Sequence, residues 1–197
     1  MQGNLFIISA PSGAGKTTLA RGLNEALPNT AFSISHTTRP RRRKEADGVD
    51  YYFVSEKEFR DMVERGEFLE YARVFGNWYG TSKAAVRSLT EQGKTALLDI
   101  DWQGARNVRR KMPGCRSIFI LPPSLEELER RLRSRGQDSE EVIQQRMEQA
   151  RDEMEHVGEY QFVVKNDDFD RALRELCEIV SGERSPVTAC QTDGAAE

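Results

Sequence analysis

Eight consecutive residues, Ala10-Pro-Ser-Gly-Ala-Gly-Lys-Thr17, carry the side chains and turn glycines needed to hold a polyphosphate. Gly13 and Gly15 let the backbone curl so that successive N–H groups face phosphate oxygens, and a helix beginning there adds the partial positive charge of its N-terminus. Lys16 can then reach the β- and γ-phosphates, and the Thr17 hydroxyl can ligate Mg²⁺. The strict pattern, Gly-x-x-x-x-Gly-Lys-Ser/Thr, has glycine where this chain has Ala10, a methyl that a negative φ tolerates. Such a loop implies a nucleoside triphosphate but not a reaction.

A second cluster, Ser35-His-Thr-Thr-Arg-Pro-Arg-Arg-Arg-Lys44, places five cationic residues within ten positions, beside His36. Basic runs of this kind serve nucleic-acid or nuclear-localisation patches. They also serve as clamps for a compact phosphate, with arginine forks and a serine hydroxyl as donors. The clamp is favoured because the run follows a phosphate loop and is followed by tyrosines, in Asp50-Tyr-Tyr-Phe53 and Gly76-Asn-Trp-Tyr-Gly-Thr-Ser82. Tyr52, Phe53 and Trp78 are expected to pack rather than bind.

These groups need rigid elements to position them. Leu5 to Ser9 is a short apolar run leading into the phosphate loop, and Leu19, Leu23 and Leu27 form one stripe of a helix that Pro28 closes. Thr95 to Asp101 and Ser117 to Leu121 are apolar without alternation, as in strands covered on both faces, and Phe162-Val-Val164 is a weaker fourth candidate. The last helix is expected to turn Phe169, Ala172, Leu173, Leu176 and Val180 inward. Strands alternating with helices favour an α/β fold on a parallel sheet.

Two stretches interrupt this rhythm. From about Ser35 to Lys94 the chain is polar, with Ser55-Glu-Lys-Glu58 reading as a capping box before a helix that Gly66 ends. From Ser124 to about Met154, a second box, Ser124-Leu-Glu-Glu127, starts a helix bearing Arg130, Arg131, Arg133 and Arg135. A further helix carries Ile143, Arg146, Met147, Ala150 and Met154. Most of these arginines are expected on solvated faces. Beyond Gly182 periodicity stops, and a loose tail is expected.

The 197 residues are 38% apolar and 31% charged, against about 25% charged in average domains, yet the net charge is only −3. No apolar run approaches the roughly 20 residues of a membrane span, and the balance predicts no general attraction to membranes or polymeric nucleic acid. Cys115, Cys177 and Cys190 form no CxxC pair, so neither a disulfide framework nor a zinc site is expected. The first nine residues lack a basic region and a long apolar core, so a cytoplasmic location is expected.

Six ordered segments together resemble guanylate kinases: Pro11-Ser-Gly-Ala-Gly-Lys16, Ser35-His-Thr-Thr-Arg-Pro-Arg-Arg42, Gly48-Val-Asp-Tyr-Tyr-Phe53, Phe68-Leu-Glu-Tyr71, Gly76-Asn-Trp-Tyr-Gly-Thr81 and Leu98-Asp-Ile-Asp-Trp-Gln-Gly104. The likeness extends from Leu5 to about Gly182. With the element pattern, it implies an α/β P-loop NTPase core with a parallel five-stranded sheet flanked by helices, plus an inserted GMP-binding lobe and a helical lid. The expected boundaries are 1–34, 95–123 and 155–183 for the core, 35–94 for the lobe, 124–154 for the lid and 184–197 for a flexible tail.

The resemblance further implies GMP-phosphate contacts at Ser35, Arg39, Arg42, Tyr51 and Tyr79, and base contacts at Glu70, Thr81 and Asp101. The family often has serine where this chain has Thr81, and either hydroxyl can donate. ATP contacts fall on Ala10, Pro11, Ser12, Gly13, Ala14, Gly15, Lys16, Thr17 and Thr18. Asn166 and Asp167 resemble adenine-side contacts, although Asp167 could equally cap the last helix. Asp99 is expected to order the water shell of Mg²⁺, and Asp101 to read the base or support Arg39; both end an apolar run, where open α/β sheets bind ligands. Guanine presents N1–H and its 2-amino group as adjacent donors that one carboxylate can accept, whereas adenine would leave that carboxylate unpaired.

The reaction expected is in-line transfer of the γ-phosphoryl of ATP to GMP, and also dGMP, giving ADP and GDP in purine nucleotide metabolism and GMP recycling. A monophosphate is already anionic, so positioning and charge stabilisation suffice without a general base. Lys16, Arg39, Arg131, Arg135 and Arg146 are the expected catalytic cations. Closure of lobe and lid is expected to exclude water and keep ATP hydrolysis low without GMP. A non-catalytic guanylate-kinase-like interaction module is a rival, but there the phosphate loop is usually degraded, and here Gly13, Gly15, Lys16 and Thr17 are intact. A sugar-phosphate kinase would have no use for Glu70, Thr81 and Asp101, and a GTPase would need an Asn-Lys-x-Asp motif, which is absent. Assembly into a homo-oligomer is left open.

Overall fold

The computed structural model describes residues 5–43, 45–74, 76–134, 136 and 139–186. Along them run β1 (Leu5–Ser9), α1 (Lys16–Ala26), β2 (Thr30–Phe32), β3 (His36–Thr37), β4 (Tyr52–Phe53), α2 (Glu56–Glu64), β5 (Phe68–Val74) and β6 (Asn77–Ser82). There follow α3 (Lys83–Glu91), β7 (Thr95–Asp99), α4 (Trp102–Lys111), β8 (Arg116–Leu121), α5 (Leu125–Ser134) and α6 (Glu140–Glu155). A 3₁₀ turn (His156–Glu159), β9 (Phe162–Lys165) and α7 (Phe169–Ser181) complete the series. Five strands form a sheet in the order β2-β7-β1-β8-β9, with β2–β7 and β8–β9 parallel; β4-β3-β6-β5 form a smaller sheet. The chain divides into two compact units, Met1–Ile7 with Pro28–Arg116 and Ile8–Leu27 with Ser117–Glu197.

In the first unit, Ala96, Leu97 and Leu98 of β7 are fully buried, which accounts for the apolar run without alternation. The strand stops at Asp99, so Asp101, expected at a strand end, instead starts a helix: its Oδ1 accepts the Gly104 N–H of α4 at 2.8 Å. A carboxylate at an N-cap satisfies a donor that the helix leaves open, which outweighs one more residue of strand. The box at Ser55 and Glu58 forms as expected, and Gly66 (φ 65°) follows the end of α2. The antiparallel β5–β6 pair rests on an aromatic layer in which Phe59 and Phe68 stack at 4.5 Å and Trp78 lies 6.0 Å from Phe59. Gly80 of β6 makes room for it, since a β-carbon there would lie 2.8 Å from Phe68. Trp78 therefore packs, and Tyr52 stacks on His36 at 4.8 Å.

In the second unit, Leu19 and Leu23 of α1 are fully buried, and α1 lies against α7. Gly22 permits that approach, because a β-carbon there would lie 3.1 Å from Leu173. Ala172, Leu176, Ile179 and Val180 form the buried face of α7. Phe169, expected inward, is 41% exposed: it opens the first turn of α7, and its Cζ lies 3.3 Å from where a β-carbon on Gly22 would stand. Gly182 ends α7 in a left-handed conformation (φ 84°). Leu128, Leu132, Ile143, Met147 and Ala150 make a small core where α5 meets α6. The second box forms by half: Ser124 Oγ accepts the Glu127 N–H at 3.2 Å, but the Glu127 carboxylate goes to Arg130 and Arg131. Among the described residues no helix is long and apolar enough to cross a membrane, and Cys115 and Cys177 are free.

Candidate active site

The phosphate loop belongs to the second unit. It follows β1 as a turn in which the Ala14 N–H donates to the Pro11 carbonyl at 3.0 Å, and α1 begins at Lys16. Gly13 (φ 99°) and Gly15 (φ 92°) hold backbone conformations that a side chain would strain. Gly15 is the N-cap, with no side-chain cap at the helix start, so the positive end of the helix dipole suits an anion there. Two neighbours fix the loop from outside. A β-carbon on Gly13 would lie 2.9 Å from Leu128 of α5, and one on Gly15 would collide with the Asn166 amide. Asn166, only 8% exposed, donates from Nδ2 to the Ala14 carbonyl at 2.6 Å.

Asp167 does not cap α7. It pairs with Arg171, whose hydrogen bond holds its carboxyl below the usual range, and Asp168 is the N-cap, accepting the Arg171 N–H at 2.8 Å. Thr17 and Thr18 are exposed at the start of α1. Arg131 donates to Glu127 at 2.8 Å, and hydrogen bonds from Arg130 and Arg131 bring the Glu127 carboxyl down to about 2. Arg133 is tied to Glu129 and Glu140. Arg146 is half-buried beside Met147 in α6, and Arg135 lies outside the described residues.

The other predicted set belongs to the first unit. Glu70 of β5 is 3% exposed and faces Thr81 of β6 across the ladder. Its Oε1 accepts the Thr81 hydroxyl at 2.6 Å and the Thr81 N–H at 3.0 Å. Its Oε2 rests over Gly104, where a β-carbon would come within 2.6 Å of it and 3.3 Å of Asp101 Oδ1. Burial pushes the Glu70 carboxyl up to about 7; the Thr81 hydroxyl opposes the rise, Asp101 adds to it, and the Thr81 N–H and Lys111 oppose it. Lys111 Nζ donates to the Leu69 carbonyl at 2.6 Å, anchoring α4 to β5.

Ser35 is buried just before β3. The Arg39 guanidinium lies over the Tyr51 ring at 5.5 Å and pairs with Glu45 at 2.7 Å. Burial opposes its charge, but hydrogen bonds with Glu45 and Tyr79 outweigh that and raise its proton affinity. Tyr51 and Tyr79 meet edge to face at 5.9 Å. Burial raises the Tyr51 phenol well above its ordinary range, and the Asp99 and Tyr79 charges add to it. Arg42 is exposed; its N–H donates to Glu45 Oε2 at 2.8 Å. Arg39, Tyr51 and Tyr79 therefore converge, as do Glu70, Thr81 and Asp101. Glu45, Gly104 and Lys111 were not singled out from sequence. Of these, Gly104 had a signal, a glycine inside a helix, where it costs roughly 1 kcal/mol unless something must approach closely.

A phosphate loop joining a parallel-sheet strand to a helix makes this chain a P-loop nucleotide-binding α/β protein. The family model described as guanylate kinase matches residues 2–183, so the chain belongs to the guanylate kinase family. It is 55% identical to a guanylate kinase of Alkalilimnicola ehrlichii, over 93% of this chain and 91% of that one. It is also 55% identical to that of Escherichia coli, over 93% and 89%. The solved guanylate kinase of Anaplasma phagocytophilum superposes with a TM-score of 0.77 at 37% identity, covering 92% of this chain and 86% of that one.

Proposed function

We propose that this chain transfers the γ-phosphoryl group of ATP to GMP, giving ADP and GDP. The observation that carries the reading is the Glu70 carboxylate. It is buried, and both of its hydrogen bonds from Thr81 fall on Oε1. A carboxylate offers about four acceptor positions, so two remain for the paired N1–H and 2-amino donors of guanine. Guanylate kinase is also the name of the relatives at 55% identity.

Ser35, Arg39, Arg42, Tyr51 and Tyr79 would hold the GMP phosphate. Glu45 supplies an anionic partner of Arg39, and a substrate phosphate would compete for the same guanidinium. Asp101 supports the base-reading end through the start of α4. Ala10 through Thr18 hold the ATP phosphates, with Lys16 on the transferring group, and Arg131, Arg135 and Arg146 stabilise charge as it moves. Segments 35–94 and 124–154 would serve as acceptor lobe and lid to a core of 1–34, 95–123 and 155–183; of the expected tail, 184–197, the part beyond residue 186 lies outside the described residues.

The donor set suits Mg²⁺. Among the described residues no group of three or more His, Cys, Asp or Glu could cage a metal, and Mg²⁺ ordinarily takes one or two protein oxygens plus substrate phosphates and water. Thr17 would supply a direct oxygen and Asp99 a carboxylate through water. When bound, the ion neutralises phosphate charge. The family resemblance implies a bacterial-type cytoplasmic role in recycling GMP, with dGMP as a second acceptor.

The test is product analysis with ATP and GMP together. GDP should appear one for one with ADP, and ADP formed without GDP would make the chain a hydrolase instead.

A further inference from the structure

We infer that Asn166 is a positioning residue for the phosphate loop, locking one peptide plane so that the loop presents its N–H groups to the donor's phosphates whatever the base. The inference rests on the reading of that loop as the phosphoryl-donor site. Asn166 stands just past β9, where its backbone N–H donates to the Leu121 carbonyl at 2.8 Å. Its backbone is therefore fixed to the carboxyl end of β8. From there Nδ2 donates to the Ala14 carbonyl at 2.6 Å, a contact across 152 residues of sequence.

A trans peptide is planar, with its C=O and N–H pointing in opposite directions. The described backbone contains no cis bond, so holding the Ala14 carbonyl toward Asn166 turns the Gly15 N–H the other way. If that plane rotated, a carbonyl oxygen would replace an N–H at the anion site, exchanging attraction for repulsion. Gly15 has left-handed φ, a region from which glycine rotates with little steric cost, so the plane needs an external lock. Ala14 is fully buried, leaving the carbonyl no solvent to replace the amide. Gly15 is also the residue whose β-carbon would displace Asn166, so glycine and asparagine suit each other at these positions. Adenine recognition, the role that the family resemblance implies for Asn166, predicts different chemistry: it depends on the base.

The experiment compares the full-length protein with Asn166→Ala, measuring KM for ATP, GTP and GMP, kcat, and calorimetric binding of magnesium tripolyphosphate, which has no base. The expected result is a loss of about tenfold or more for ATP and tripolyphosphate alike, from one buried carbonyl left without a donor. KM for GMP should stay unchanged, as should the ATP-to-GTP preference. Weaker ATP binding with unaltered tripolyphosphate binding would overturn the inference in favour of a base contact, and no change in either would overturn it outright. Asn166→Leu, similar in volume but without a donor, gives the same reading should the alanine variant not fold. A wild-type protein that binds tripolyphosphate but makes no GDP would sink the proposed function and leave the lock standing.

Discussion

Glu70 and Thr81 face each other across the β5–β6 ladder and are joined twice, hydroxyl to Oε1 at 2.6 Å and N–H to Oε1 at 3.0 Å. The pair orients a carboxylate that burial alone would leave mobile and protonated. Thr81→Val keeps the shape and the N–H but deletes the shorter bond. Hydrogen bonds to charged groups contribute roughly 1.5–3 kcal/mol, so KM for GMP should rise about tenfold or more while KM for ATP stays within a factor of two or so. Steady-state kinetics with each substrate varied decides it, and an equal rise for ATP would contradict the assignment.

The raised Glu70 carboxyl gives a pH signature whose sign is fixed. Between the ordinary value of 4.5 and about 7, native Glu70 keeps a proton that the unfolded chain has released. Stability contributed by this group is therefore present below 4.5 and lost as pH rises through 7, on the order of 3 kcal/mol. Guanine binding needs the ionised form, so GMP affinity should fall as pH drops from 8 to 6. The GMP phosphate also titrates near 6, and Glu70→Gln provides the control: it should bind GMP weakly and lose the Glu70 part of both profiles. Denaturant titration across pH gives the first profile and calorimetry the second. A wild-type profile identical to that of the variant would remove Glu70 from the account.

Gly104→Ala sets two effects against each other. Alanine favours a helix interior by roughly 1 kcal/mol. Its methyl would come within 2.6 Å of Glu70 Oε2, and overpacking of this kind costs about 1–3 kcal/mol. The clash should win: lower stability in denaturant and a raised KM for GMP. A more stable variant with unchanged KM would mean that the carboxylate moves aside freely.

Arg131→Ala and Arg146→Ala test the lid assignment. Arginines acting on the transferring group contribute mainly in the transition state, so kcat should fall about 100-fold or more with little change in KM for GMP. An equal loss of GMP affinity would make them ground-state binders. Since Arg131 is tied to Glu127, Glu127→Gln should change kcat too, by less than the arginine's own removal.

The phosphate loop was legible from sequence because its chemistry is contiguous: eight neighbouring residues framed by an apolar strand and a leucine stripe. The long buried strands were legible for the same reason. Short elements were not. Strand β2 has three residues and β3 and β4 two each, too few to show a period, and they exist because neighbouring strands pair with them. The Thr95 to Asp101 run read as one strand because periodicity cannot distinguish its last residues from a helix cap. The residues that orient the site are the least legible. Lys111 acts on Leu69 and Asn166 on Ala14, across 42 and 152 positions, and only tertiary contact reveals them. Glu45, which pairs with Arg39, comes directly after a basic run whose charge masks it.

Acceptor specificity tests the central claim most directly. Full-length protein is given ATP with GMP, AMP, UMP or CMP in turn, and ADP release is followed in a coupled assay. GMP should be turned over at least about 1,000-fold better by kcat/KM than any other, because no rival base offers the adjacent ring N–H and amino donors that the buried Glu70 carboxylate would accept together from guanine. That preference should collapse in Glu70→Ala. Turnover of AMP or UMP as readily as GMP, or an unaltered preference in the variant, would contradict guanine reading by this site.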